Sequence, residues 1–201
     1  MSNLLVPLQR LQRWVENFGS RHGATELTVD AGGLLGRAED GSWFLARLPF
    51  DEEYGGPADV AAFGAAATPP ESWGVLLVRK GGFAVARLAG DRLLESKVGQ
   101  RHVQGRTKAG GQSQQRFARR RDNQARDAYR AAADHAVRVL GPVPIVVAGG
   151  DRPAVTEVLA DPRLTSIRVT EPWLAVPDPR RAVLDQAIAD AQAVRVAVEN
   201  A

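Results

Sequence analysis

The sequence predicts an α/β protein: a mixed β-sheet flanked by helices, with an N-terminal helix and β-hairpin extension ahead of it. Three observations lead there. Residues 74–80 (GVLLVRK) and 83–90 (FAVARLAG) are apolar runs joined by Gly81-Gly82, the pattern of a β-hairpin. Residues 143–149 (VPIVVAG) are apolar throughout, as expected of a central strand covered on both faces. Helical patterns over 113–140, after Asp151 and near the C-terminus alternate with these runs, which is the element order of a layered α/β fold.

Taken from the N-terminus, Leu4, Leu8, Leu11, Val15 and Phe18 recur at helical spacing, with Gln9, Arg10, Arg13 and Glu16 on the opposite face. This predicts an amphipathic helix that ends between Gly19 and Gly23, with Pro7 suited only to its first turn. Three extended runs follow at 26–30, 33–39 and 42–50, separated by turns at Gly32-Gly33 and Asp40-Gly41. Residues 51–73 (DEEYGGPADVAAFGAAATPPESW) are acidic, rich in Ala, Gly and Pro and weakly periodic, so a linker or loosely packed loop is expected. Two regions are therefore expected: 1–70 as a helix-and-hairpin region and 72–201 as the main domain.

In the second region the hairpin is followed by a third strand within LLESKVGQRHV. A long helix over roughly 113–140 comes next, carrying Phe117, Ala125, Ala128, Ala132, Ala136 and Val139 near one stripe and ending at Gly141-Pro142. After the buried strand come a helix over RPAVTEVLAD, a strand over 165–170, and a closing helix over 178–200.

Composition narrows the function classes. Of the 201 residues, 44% are hydrophobic and 24% charged, which permits an ordinary globular core. The chain has no cysteine, which excludes disulfides, thiolate metal sites and cysteine nucleophiles. No apolar stretch reaches the roughly 18–20 residues of a membrane span, and the N-terminus lacks a signal-peptide pattern, so a cytoplasmic protein without membrane attachment is expected. The net charge of +3 conceals a strong asymmetry. Residues 97–121 hold eight Lys/Arg and no Asp/Glu, which leaves 18 bases against 23 acids elsewhere, a net of −5. Such a concentrated basic segment suits a polyanionic partner.

Conventional active-site patterns are absent. His22 lies at a helix end and His135 within a helix, where surface or capping roles are expected; neither takes part in a His-x-x-x-His or Glu-x-x-His pair, so no metal is expected. His102 lies in the basic stretch. Ser113 has no neighbouring base and sits in no Gly-x-Ser-x-Gly elbow, and Gly149-Gly150 is not followed by the Lys-Ser/Thr of a phosphate loop. What remains is GRTKAGGQSQQRFARRR at 105–121. Arg101, Arg106 and Lys108 precede Gly110-Gly111-Gln112, and Arg116, Arg119, Arg120 and Arg121 follow within two helical turns. Two glycines allow close backbone approach to a crowded target, and a neutral amide both donates and accepts. The flanking bases suit phosphate contacts.

These residues carry a family resemblance. Gly105-Arg106, Gly110-Gly111-Gln112-Ser113 and Arg116-Phe117-Ala118-Arg119 with Arg121 resemble the catalytic motif of the eukaryotic and archaeal class-1 peptide release factors. The order of strands and helices over roughly 72–200 agrees. The first 70 residues do not resemble a stop-codon-reading domain, so the chain is more similar to the related VLRF group, especially its compact actinobacterial form. Members of that group are similar to peptidyl-tRNA hydrolases of ribosome rescue and quality control, which free nascent chains from stalled large ribosomal subunits. The zinc-finger and ankyrin regions of eukaryotic members are not expected in this chain.

The resemblance implies hydrolysis of the ester between a nascent peptide and the tRNA 3′-terminal adenosine, without cofactor. It implies a monomer whose partners are large-subunit rRNA and peptidyl-tRNA, with Arg101, Arg106, Lys108, Arg116, Arg119, Arg120 and Arg121 as RNA contacts. The release-factor pattern puts the working amide at Gln112. The Gly-x-x-Gln pattern of the VLRF group fits Gly111 to Gln114 and favours Gln114, with Gln115 a weaker third candidate. Gly110 and Gly111 would contribute backbone N–H groups that position water and stabilise the oxyanion. A non-catalytic RNA- or ribosome-binding module, and a nuclease acting on the tRNA 3′ end, stand as alternatives.

Overall fold

A computed structural model describes residues 1–100 and 129–201. In chain order the first elements are β1 (Ser2–Val6), α1 (Leu8–His22), β2 (Thr25–Asp30), β3 (Gly33–Ala38), β4 (Trp43–Arg47) and α2 (Val60–Ala66). They are followed by β5 (Trp73–Arg79), β6 (Gly82–Ala89), β7 (Arg92–Gln100) and helix α3, described over 129–140. The chain continues with β8 (Ile145–Gly150), α4 (Arg152–Leu159), β9 (Arg168–Leu174), α5 (Arg181–Ala191) and β10 (Val194–Glu199). The class is α/β with helices against sheets, and two compact units divide the chain. One comprises Met1–Pro70, Thr170–Pro172 and Ile188–Ala201; the other comprises Glu71–Val169 and Trp173–Ala187.

The first unit is built on a five-stranded antiparallel sheet in the order β1-β10-β4-β3-β2. Alternation assigns one face to Val6, Val194, Val196, Ala46, Phe44 and Leu34, all buried in a single core with Leu11 and Phe18 of α1 and Phe63 of α2. Phe44 is sealed by edge-on contacts with Trp14 and Phe18, at centroid distances of 5.2 and 5.0 Å. At the end of α1, His22 Nδ1 meets Asp40 Oδ2 at 2.8 Å, tying the helix to the β3–β4 turn. The Ser42 backbone N–H and then His22 hold the Asp40 carboxyl below its ordinary range.

Three expectations are corrected here. The first residues form β1 instead of helix, because Ser2–Val6 pair along β10 and Pro7 fits only at the helix entrance. The last residues are a strand instead of helix: β10 carries Val194, Val196 and Val198 at period two, and β-branched residues favour a pleated surface. Residues 51–73 are not a loose linker. Tyr54, Val60, Phe63 and Ala67 are buried, and Asp59 caps α2 by accepting a 2.8 Å hydrogen bond from the Ala62 N–H.

The second unit holds a mixed sheet in the order β7-β6-β5-β8-β9. β5 pairs antiparallel with β6 and parallel with β8, the crossover arrangement the apolar 143–149 run predicts. One face, with Leu76, Val78, Phe83, Val85, Val146 and Ala148, packs against Ala132, Ala136 and Val139 of α3 and Val155 and Val158 of α4. On the opposite face Arg181, in the first turn of α5, reaches Ser96 of β7 through its Nη1 at 3.2 Å. Gly150, at φ +94°, ends β8; a Cβ there would lie 2.3 Å from the Val78 carbonyl oxygen, so only glycine allows the turn into α4. The strand expected at 165–170 is displaced to Arg168–Leu174, with Pro172 in this outer strand, where a missing N–H is tolerated.

Candidate functional site

Gly110, Gly111, Gln112 and Gln114, and the bases Arg101, Arg106, Lys108, Arg116, Arg119, Arg120 and Arg121, all lie outside the described residues, as do His102, Ser113 and Gln115. The described structure supplies the two ends from which they depart: Gln100, the last residue of β7, and Tyr129, in α3.

Both ends line one cavity of about 210 Å³ in the second unit, together with Lys80, Phe83, Gly99 and His135. Its floor is a cross-strand pair. Phe83 of β6 stands opposite Gly99 of β7, and a Cβ at Gly99 would come within 2.3 Å of the Phe83 ring. The glycine thus gives the ring its seat. His135 of α3 stacks on the same ring at a centroid distance of 5.2 Å and an interplanar angle of 24°. The expectation of a surface or capping role for His135 is replaced by a half-buried packing role on the cavity wall.

Tyr129 provides a phenol. Burial first, then the negative charges of Asp151 and Glu157, push its pKa up from the ordinary phenol value. The two bases at the end of β5 behave differently. Arg79 is tethered: its Nη1 donates to the Val176 carbonyl at 2.8 Å, and its Nε lies 3.7 and 3.8 Å from Asp151 and Asp178. Lys80 is exposed and forms no ion pair among the described residues. Nothing in the sequence marks Lys80, Gln100 or Tyr129 as a group. Lys80 and Gln100 converge because the Gly81-Gly82 turn joins the end of β5 to the start of β6, where Gly82 pairs with Gln100 at the end of β7.

Among the described residues no group of His, Asp and Glu could hold a metal ion. No helix among them is long and apolar enough to cross a membrane.

Residues 71–197 match the family described as "Actinobacteria/chloroflexi VLRF1 release factor". No curated protein matches the chain. Among solved structures, an archaeal translation termination factor, aRF1, overlaps with a TM-score of 0.40 at 14% identity, covering 94% of this chain and 64% of that one. The Vms1 mitochondrial localization core overlaps with a TM-score of 0.39 at 12% identity, covering 93% and 80%. The chain therefore spans less than two thirds of the archaeal factor's length.

Proposed function

The chain belongs to the Actinobacteria/chloroflexi VLRF1 release factor family, and on that premise we propose that it is a peptidyl-tRNA hydrolase. It acts in the cytoplasm, as a monomer, on nascent chains held on stalled large ribosomal subunits. The observation that carries this reading is that the family match over 71–197 runs through the whole Gly-Gly-Gln-Ser-Gln-Gln stretch at 110–115 and its flanking bases.

The bond broken is the ester between the peptide carbonyl carbon and the 3′ oxygen of the terminal adenosine. Water adds to the carbonyl carbon, and the tetrahedral intermediate collapses with departure of the 3′ oxygen, which takes up a proton. The products are a free peptide acid and an intact tRNA. The chain supplies no covalent nucleophile. A backbone N–H at Gly110 or Gly111 and the amide of Gln112 or Gln114 position water and stabilise the oxyanion, contributions worth roughly 10²–10³ in rate for one oxyanion donor. The bases from Arg101 to Arg121 hold the RNA backbone, a salt-sensitive term.

The test is single-turnover peptide release from purified 50S–peptidyl-tRNA complexes by wild type, Gln112→Ala and Gln114→Ala. Loss of release in one variant identifies the working amide. Undiminished release in both removes the site assignment. Released tRNA that lacks its terminal CCA would instead point to nucleolytic cleavage.

A further inference from the structure

Among the described residues the two sheets have four edge strands, and these are not protected alike. β2 carries Glu26 and Asp30, β7 carries Arg92, Glu95 and Lys97, and β9 carries Arg168, Glu171 and Pro172. Charges and proline on an outer strand keep its unpaired N–H and C=O groups from pairing with another chain. β1, with the sequence SNLLV, has neither. Exposure follows the same division. β2, β7 and β9 each expose one large hydrophobic side chain, Val29, Leu94 and Val169, whereas β1 exposes two in succession, Leu4 at 42% and Leu5 at 37%.

Pairing with β10 fixes what each leucine faces. Leu4 stands opposite Val196 and shares a face with Val6 and Val194, the face that carries the first unit's core. Leu5 stands opposite Arg195 on the other face, and Arg195 is engaged by Asp51, whose Oδ1 accepts from its Nη2 at 3.0 Å. No strand among the described residues pairs with the outer edge of β1.

The chemistry of the strand selects its occupant. In a two-fold contact each residue meets its own image or that of a near neighbour, so a charge close to the axis would face itself. Antiparallel pairing of β1 with a second β1 about Leu4 sets Ser2 against Val6, Asn3 against Leu5, and Leu4 against its own image. Opposite Cβ atoms then lie about 5 Å apart and diagonal neighbours about 7–8 Å. Leu4 therefore meets Leu4 directly, and Leu5 meets Leu5 diagonally on the other face. Both exposed leucines gain an apolar partner, and neither strand brings a charge to the contact.

We propose that β1 is a self-association edge, through which two copies of the chain join their five-stranded sheets into one of ten strands. The strand lies outside residues 71–197, in a part of the chain that the family match does not reach, and the inference does not rest on the hydrolase reading. Five residues bury far less than the roughly 800 Å² per partner of a stable complex. The dimer is accordingly weak, with a Kd on the order of 10–100 µM, and the dilute chain that acts on the ribosome is a single copy.

The experiment is sedimentation equilibrium from about 5 to 500 µM. It compares wild type, Leu4→Lys, Leu4→Glu, an equimolar mixture of those two variants, and Val29→Lys on the opposite edge of the same sheet. Wild type should dimerise with a Kd in that range. Each Leu4 variant alone sets like charges against each other and should weaken association at least about ten-fold. The mixture should recover it to within about three-fold of wild type, because opposite charges then meet, and recovery requires both variants to be folded. Val29→Lys should match wild type. In wild type, amide exchange of residues 2–6 should also slow with rising concentration while that of β2 stays constant. A wild type that is monomeric at about 500 µM would overturn the proposal and leave the edge to an extended peptide of another protein. Leu4 variants that dimerise as wild type does, a mixture that stays monomeric, an equal loss in Val29→Lys, or exchange at 2–6 that ignores concentration would overturn it as well.

Discussion

Phe44 in the first unit and Phe83 in the second sit on the same device, a phenyl ring laid over a glycine of the neighbouring strand. Gly36 is Phe44's partner and Gly99 is Phe83's; a Cβ would approach the rings to 2.2 and 2.3 Å. The surroundings differ. Phe44 is enclosed by Trp14 and Phe18 and is fully buried. Phe83 is capped by His135 and borders a cavity whose rim carries Lys80, Gln100 and Tyr129. One aromatic-on-glycine pair thus closes a core, and the other forms the floor of a partly polar recess at the two ends of the segment that holds Gln112 and Gln114.

The largest expected effect is on stability. Phe44→Ala should cost about 4–5 kcal/mol by denaturant unfolding and Phe83→Ala about 3, because the second ring already borders empty space. Equal costs would break the contrast. The glycines sharpen it. Gly36→Ala pushes a methyl group into a ring that cannot retreat and should cost about 2–3 kcal/mol, whereas Gly99→Ala lets Phe83 move toward the cavity and should cost about 1 or less. A larger loss at Gly99 would show the cavity wall to be rigid.

The smallest effect is electrostatic. Arg163 lowers the Asp161 carboxyl from 3.8 to about 2 through side-chain and backbone hydrogen bonds, and Asp40 is lowered by Ser42 and His22. A carboxyl depressed in the folded state adds stability that is fully present above its unfolded value and is lost as pH falls through the folded one. Thermal midpoints of wild type should therefore decline between pH 4 and pH 2, and Asp161→Asn should flatten part of that decline. Asp40 is exposed and Asp161 half-buried at the surface, where solvent screens its ion pair, so the differences at pH 7 should be modest.

The second sheet was legible in the sequence because its signals are local. The Gly81-Gly82 turn and the apolar run at 143–149 map onto the β5–β6 hairpin and β8. The long-range pairings of the first sheet were not. Val194, Val196 and Val198 follow a helix with little punctuation, and only their pairing with β1 and β4, far away in sequence, decides for strand. α2 was hidden by its Ala-rich composition, although Asp59 three residues ahead of Ala62 is a capping signal. The Gly-Gly-Gln stretch could be read from sequence because its residues are consecutive.

The proposed role of the Gln112 or Gln114 amide is to make this chain a peptidyl-tRNA hydrolase. Its most direct test is the single-turnover release rate of a Gln112→Ala/Gln114→Ala chain on 50S–peptidyl-tRNA at saturating protein. The expected result is a loss of at least about a hundred-fold against wild type, with RNA affinity unchanged and the released wild-type tRNA retaining its CCA end. Release at the wild-type rate by the double variant would contradict it.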